Sequence, residues 1–363
     1  MSTVLEDLAR DIRNATTPES VFGACAGGQF VAARKIYRCL ARLAHADRYS
    51  AECDKQLAHE TFVKLSALWV QCQARIKAGL YGTAQATTPL RTVTSPAHTY
   101  TLEALHQRGE LSNVYRAVNE RGAPCLVKVA LAPSVNDLLK NEADTLRKLN
   151  VMVKDLSVRE FIPTLLESFS VRADNNVNLQ VNVFDAKPNL HTLVSVFAEY
   201  PEGIDQKHFV WIYKRVLSLL GFVHELKLVH SAILPTHLLI EPNTHAICLV
   251  DWCFAVPLGC ALRAASNAYR SWYPPEVTAK KPVGAGLDLY MAARCMAYLL
   301  GDSTDVPSRT ESRFRRIIQP CLLGNPNYRS SNAWELYNEL EVAARVVYGH
   351  ARFVKLAMPA LEA

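Results

Sequence analysis

Leu228-Val229-His230-Ser231-Ala232-Ile233-Leu234-Pro235-Thr236-His237-Leu238-Leu239-Ile240 runs into Glu241-Pro242-Asn243-Thr244 and returns as Ile247-Cys248-Leu249-Val250-Asp251-Trp252-Cys253. Apolar runs on either side of a Pro-Asn-Thr turn predict a hairpin over 238–250. The loop feeding it carries two imidazoles, His230 and His237, and ends near one carboxylate, Asp251. Ala232 and Leu234 stand between the histidines. A methyl group cannot accept a proton or orient a hydroxyl, so Ala232 itself offers no acid–base chemistry.

Outward from this loop the chain changes character twice. After about residue 205 it reads as mainly helical. Before it, short alternating runs at Tyr100–His106, Asn113–Val118 and Cys125–Ala130 predict strands, the last two joined by Asn119-Glu120-Arg121-Gly122. A helix is expected over 135–149, and strands near 163–171 and 178–185. The class is α+β: a two-lobed domain over 99–363, with a small lobe at about 99–185 and a large lobe at about 189–348. Residues 1–82 read as a separate helical domain. Ala33, Ile36, Tyr37, Leu40 and Leu43 recur at helical spacing, opposite Arg34, Lys35, Arg38 and Arg42. A second long helix fits 54–79. Residues 83–98, rich in Thr, Ala and Pro without apolar period, are expected as a linker.

Composition narrows the function classes. Of 363 residues, 50% are hydrophobic and 20% charged, which excludes wholesale disorder and suits two or three domains. No run of about 18 uncharged apolar residues is present, so no membrane span is expected. Glu6, Asp7, Arg10, Asp11, Arg13 and Glu19 make the start unlike a signal peptide. Ten cysteines include no CxxC pair, and most lie inside apolar runs and read as small core residues of a reduced cytoplasmic protein. A net charge of +6 spread over the chain points to no nucleic-acid partner.

From about 100 to 345, the order of features resembles the eukaryotic-type protein kinase fold. Val127-Lys128-Val129 resembles the strand whose lysine holds the ATP phosphates, and Glu142 the helix glutamate that pairs with it. Leu228–Ile240 aligns with the catalytic loop H-R-D-x-K-P-x-N: His230 and Pro235 match, but Ala232, Leu234 and His237 replace the aspartate, lysine and asparagine. Asp251-Trp252-Cys253 resembles D-F-G, which makes Asp251 the magnesium ligand. In the glycine loop only Gly109 remains; Gln107 and Ser112 replace the other two glycines, and Glu110 adds negative charge. Tyr273-Pro274-Pro275-Glu276 resembles A-P-E, Asp288 the aspartate that bonds the catalytic-loop backbone, and Arg329 the partner of Glu276. Scaffold motifs kept while the base, lysine and asparagine are lost imply a pseudokinase. Such a protein acts as a signalling scaffold or regulator and holds ATP or ADP, with magnesium, weakly at Lys128, Glu142, Gly109 and Asp251. The alternative is an active transferase with rearranged chemistry, using His230 or His237 as base.

Residues 28–82 resemble the J domain of DnaJ-type co-chaperones. A basic helix, Ala32–Ala44, leads to His45-Ala46-Asp47 where the family has H-P-D, then to a return helix with Phe62, Leu65, Leu68 and Trp69. The resemblance implies that His45, Asp47, Arg34, Lys35, Arg38 and Arg42 face a protein partner, such as the acidic surface of a heat-shock chaperone ATPase. A co-chaperone adaptor is therefore a further alternative.

Overall fold

The computed structural model describes residues 3–15, 18–23, 29–49, 51–77, 92–172, 177–302 and 305–359. Two compact units, Met1–Pro89 and Leu90–Ala363, make up the chain.

The first unit contains α1 (Thr3–Asn14), α2 (Pro18–Phe22), α3 (Gln29–Leu43) and α4 (Glu52–Lys77). On α4 the buried residues Ala58, Thr61, Leu65, Leu68 and Cys72 fall three or four apart and form one stripe. That stripe packs with Ile12, Phe22 and Ala33. Tyr37 stacks on Trp69 with ring centroids 4.8 Å apart, and Phe22 meets Trp69 edge-on at 5.6 Å. Between α3 and α4, Ala46–Arg48 forms a single 3₁₀ turn.

The second unit opens with an antiparallel sheet of β1 (Thr92–Thr94), β2 (Thr99–Arg108), β3 (Ser112–Asn119), β4 (Pro124–Ala130), β5 (Leu165–Arg172) and β6 (Asn178–Asp185), in the order β1-β2-β3-β4-β6-β5. The expected linker is corrected here. Residues 83–91 lie outside the described residues, but Thr92-Val93-Thr94 pairs with Thr99–Thr101 as an edge strand. Its β-branched residues suit a pleated edge. The tight return is fixed by Ser95, whose Oγ accepts from the N–H groups of Ala97 and His98 at 3.1 and 2.9 Å.

Helices α5 (Asn136–Met152) and α6 (Leu156–Arg159) accompany the sheet. The α5 face of Leu138, Leu139, Glu142, Ala143, Thr145, Leu146 and Leu149 is buried, so one carboxylate sits in a mainly apolar stripe. The rest is mainly helical: α7 (Leu193–Glu199), α8 (Gln206–Glu225), α9 (Pro275–Thr278), α10 (Ala285–Leu299), α11 (Ser312–Ile318) and α12 (Ala333–Tyr348). Short strands interrupt it: β7 (His191–Thr192), β8 (Leu228–Val229), β9 (Leu238–Ile240), β10 (Ile247–Leu249) and β11 (Val256–Pro257). Strands β9 and β10 form the hairpin expected over 238–250. Helix α10 is apolar on nearly every side and lies in the core with α8. Among the described residues no helix is long and apolar enough to cross a membrane.

Candidate functional site

Lys128 lies on β4 opposite Val114 of β3 and Asn182 of β6, in the middle of the sheet. Its neighbour Val127 points into the sheet's own core, so strand alternation turns Lys128 to the other face. There Lys128 Nζ lies 2.9 Å from Glu142 Oε1, 2.7 Å from Asp251 Oδ1 and 3.3 Å from Cys253 Sγ. Glu142 Oε2 accepts from Asn182 Nδ2 at 3.0 Å, and that same amide also donates to the Leu139 carbonyl. The residues of strand, helix and strand end expected to surround a nucleotide thus meet in one cluster.

Burial opposes the Lys128 ammonium, but the carboxylates of Asp251 and Glu142 outweigh it and hold its pKa well above the usual lysine range. For Asp251 burial likewise works against charge, and Lys128 and His237 overcome it, holding the carboxyl well below its usual range. The Cys253 thiol is pushed up by burial. Among the described residues, Glu142, Asp251 and Cys253 form a group close enough to hold a metal ion. The ammonium of Lys128 already lies within 3.3 Å of a polar atom of each.

Asp251 follows β10 with φ of 66°, in the left-handed region that aspartate tolerates better than most residues. Its second oxygen, Oδ2, lies 3.1 Å from His237 Nε2. The other ring nitrogen of His237 is 2.8 Å from the Ala232 carbonyl oxygen. Trp252 is buried beneath His230, ring centroids 4.5 Å apart, and donates from Nε1 to the Leu249 carbonyl.

Asp288 fixes the loop backbone. Its oxygens accept from the N–H groups of His230 and Ser231, each at 2.8 Å, and His224 Nε2 lies 3.0 Å away. This clasp holds Ser231 at a φ of 67°. His230 Nδ1 accepts from the Ala232 N–H, and Nε2 lies 3.1 Å from the Val250 carbonyl. Burial pushes the His230 pKa down to about 4. Ala232 and Leu234 are wholly buried, Ala232 among Ala130, Leu138, Leu139, Cys253 and Phe254.

A cavity of about 1010 Å³ lies over this cluster, walled by Val114, Leu126, Phe184, Leu239 and Val250, with Lys128 and Asp251 at its polar end. Gly109 lines it. The lack of a side chain there serves the turn itself: a Cβ would come 2.7 Å from the Ser112 carbonyl oxygen, which accepts from the Gly109 N–H. Glu110 lines the cavity as well. Its carboxylate accepts from the N–H groups of Asn267 and Ala268 at 3.0 and 2.6 Å.

Glu276 and Arg329 are paired, with Arg329 Nη2 at 2.6 and 2.7 Å from the two carboxylate oxygens. In the helical unit, Arg34, Lys35, Arg38 and Arg42 are exposed on α3. At its end His45 Nδ1 accepts from the Asp47 N–H at 3.4 Å and lies 3.6 Å from the Asp47 carboxylate. Sequence reading missed three contributors: Asn182, Cys253 and the His237–Asp251 contact. Asn182 sits in an apolar strand run, a visible anomaly. The other two arise only when segments distant in sequence meet.

Residues 102–344 match the protein kinase domain family. Serine/threonine-protein kinase B of Synechocystis is 24% identical over 256 residues, covering 61% of this chain and 42% of the relative. Mouse Aurora kinase C is 27% identical over 119 residues, covering 32% of this chain and 43% of its own length. The chain therefore spans less than half the length of these curated relatives. The crystal structure of the PF14_0431 kinase domain superposes with a TM-score of 0.53 at 14% identity, covering 66% of this chain and 95% of that one, a likeness of fold. With the lysine–glutamate pair, the clasped loop and the two-lobed order of elements, this match assigns the chain to the protein kinase domain family.

Proposed function

We propose that the kinase-like unit is catalytically disabled and works in the cytoplasm as a nucleotide-holding scaffold or regulator. The observation that carries this reading is the catalytic loop. Ala232 and Leu234 turn their aliphatic side chains into the core where phosphotransfer needs a proton acceptor and a cation. The two nearby imidazoles are committed to protein partners: His230 to Ala232 and Val250, His237 to Ala232 and Asp251. These contacts count against either imidazole serving as the base of a rearranged transferase. The cavity above Lys128 and the retained Lys128–Glu142 pair support nucleotide binding as a structural cofactor role. The exposed basic face of α3 supports a protein partner of acidic surface for the helical unit. Incubation with labelled ATP and generic protein acceptors tests the reading. Incorporation should match a Lys128→Met control, and a clear Lys128-dependent signal sinks it.

A co-chaperone adaptor is the second reading, favoured by the exposed His45 and Asp47 at the turn between α3 and α4. Stimulation of a heat-shock chaperone ATPase that His45→Gln abolishes would establish it. Absence of stimulation removes it.

A further inference from the structure

Magnesium in a cleft of this kind needs hard oxygen donors in near-octahedral array, usually one or two carboxylates with substrate phosphates and water. The donor set here does not fit. Asp251 Oδ1 is taken by Lys128 Nζ at 2.7 Å and Oδ2 by His237 Nε2 at 3.1 Å. Glu142 Oε1 is taken by the same ammonium at 2.9 Å and Oε2 by the Asn182 amide at 3.0 Å. The remaining nearby groups are the Cys253 sulfur, a soft donor that magnesium disfavours, and His237. The His237 ring is strung between two acceptors, the Asp251 carboxylate and the Ala232 carbonyl. Both ring nitrogens thus already face protein oxygens, at 3.1 and 2.8 Å.

We propose that this cleft takes an adenine nucleotide without a divalent metal, because side-chain nitrogens of Lys128 and His237 occupy the carboxylate oxygens of Asp251 that a metal would need. The inference rests on the nucleotide-holding reading above and goes further than it. A nucleotide binding through magnesium would have to break a partly buried contact of Asp251 first. Breaking a buried charged contact is costly, because the partner is left uncompensated. Without the metal, affinity comes from the apolar walls around the base and from contacts to the ribose and to the edge of the phosphates. The closed charge cluster is then kept as it stands.

Calorimetric titration of the full chain with ATP and with ADP, in millimolar magnesium and again in excess EDTA, tests this. The expected result is the same Kd within about twofold in both buffers. A loss of affinity of tenfold or more in EDTA, equivalent to about 1.4 kcal/mol, overturns it. A second arm uses His237→Asn, which frees Asp251 Oδ2 and supplies an amide oxygen. Its ATP affinity should become higher in magnesium than in EDTA; indifference to magnesium in this variant overturns the blocking role of His237. No heat in either buffer sinks the inference together with nucleotide holding. The disabled-catalysis half of the reading is judged separately, by the phosphotransfer assay.

Discussion

Arg329 places one guanidinium nitrogen 2.6 and 2.7 Å from the two carboxylate oxygens of Glu276, with both side chains buried. The same guanidinium reaches the carbonyls of Gly286 and Gly324 and lies 5.0 Å from the centre of the Tyr290 ring. One side chain thus ties α9 to the start of α10 and to the 3₁₀ turn at 326–328. Cutting it leaves a charge in the core with no compensating partner.

Glu276→Ala should lower stability by about 3–5 kcal/mol, since the guanidinium stays buried without its counter-ion. At about 2–4 °C per kcal/mol for a domain of this size, the thermal midpoint should fall on the order of 10 °C. Differential scanning calorimetry reads this directly. A fall under about 2 °C would show that water or rearranged partners replace Glu276.

Glu110 should matter to motion more than to stability. Its carboxylate is the acceptor for two consecutive backbone amides, at Asn267 and Ala268, and it ties the β2–β3 turn across the cleft. Glu110→Ala removes both charge-assisted bonds at an exposed site. Hydrogen exchange at the Asn267 and Ala268 amides should quicken several-fold while the thermal midpoint moves little. Unchanged exchange at these two amides refutes the latch.

Most of the second unit was legible because its signals are local. Alternation gave β2–β4, helical spacing gave α5, and a proline-bearing turn gave the β9–β10 hairpin. The meeting of Lys128, Glu142 and Asp251 was legible from motif order alone. The role of His237 was not. By sequence it stands where a metal ligand is lost, and only the fold shows its ring turned onto the Asp251 carboxylate. Glu110 likewise makes a contact that its sequence position did not show: the turn directs its carboxylate to the Asn267 and Ala268 backbone donors. The strand at Thr92–Thr94 was hidden by a Thr- and Pro-rich neighbourhood, because an edge strand of three residues has no periodicity to read. Pairing between distant segments is what single-sequence patterns carry least.

Acid should destabilise the second unit from the neutral side downward. Burial lowers His230 and His245 each to about 4, and His208 is lowered as well. An unfolded histidine takes up its proton near 6.5. Between about 6.5 and 4 the unfolded chain therefore binds more protons, so stability present at neutral pH is lost as pH falls through that window. His245 faces His208 at 3.0 Å and Phe353 at 4.9 Å, with Glu241 and Arg215 nearby. Denaturant midpoints at pH 7, 5.5 and 4.5 should fall in that order. His245→Asn, which suits the local φ of 55°, should flatten the decline. An equal slope in the variant would remove His245 as a contributor.

Returning the missing carboxylate should not return activity. Ala232 is wholly buried against Ala130, Leu138, Leu139, Cys253 and Phe254, so the side chain of Ala232→Asp enters an apolar pocket rather than solvent. Burying an unpaired carboxylate is expensive, and the ammonium of Lys128 already serves Glu142 and Asp251. The variant should therefore melt several degrees lower and transfer no more phosphate than the Lys128→Met control. Leu234, also wholly buried, withholds the cation that would steady the transferring phosphoryl group, and His237 holds the carboxylate that would bind the metal. Phosphotransfer that appears in Ala232→Asp alone, and vanishes when Lys128→Met is added, would mean that the loop lost one group rather than its whole catalytic arrangement.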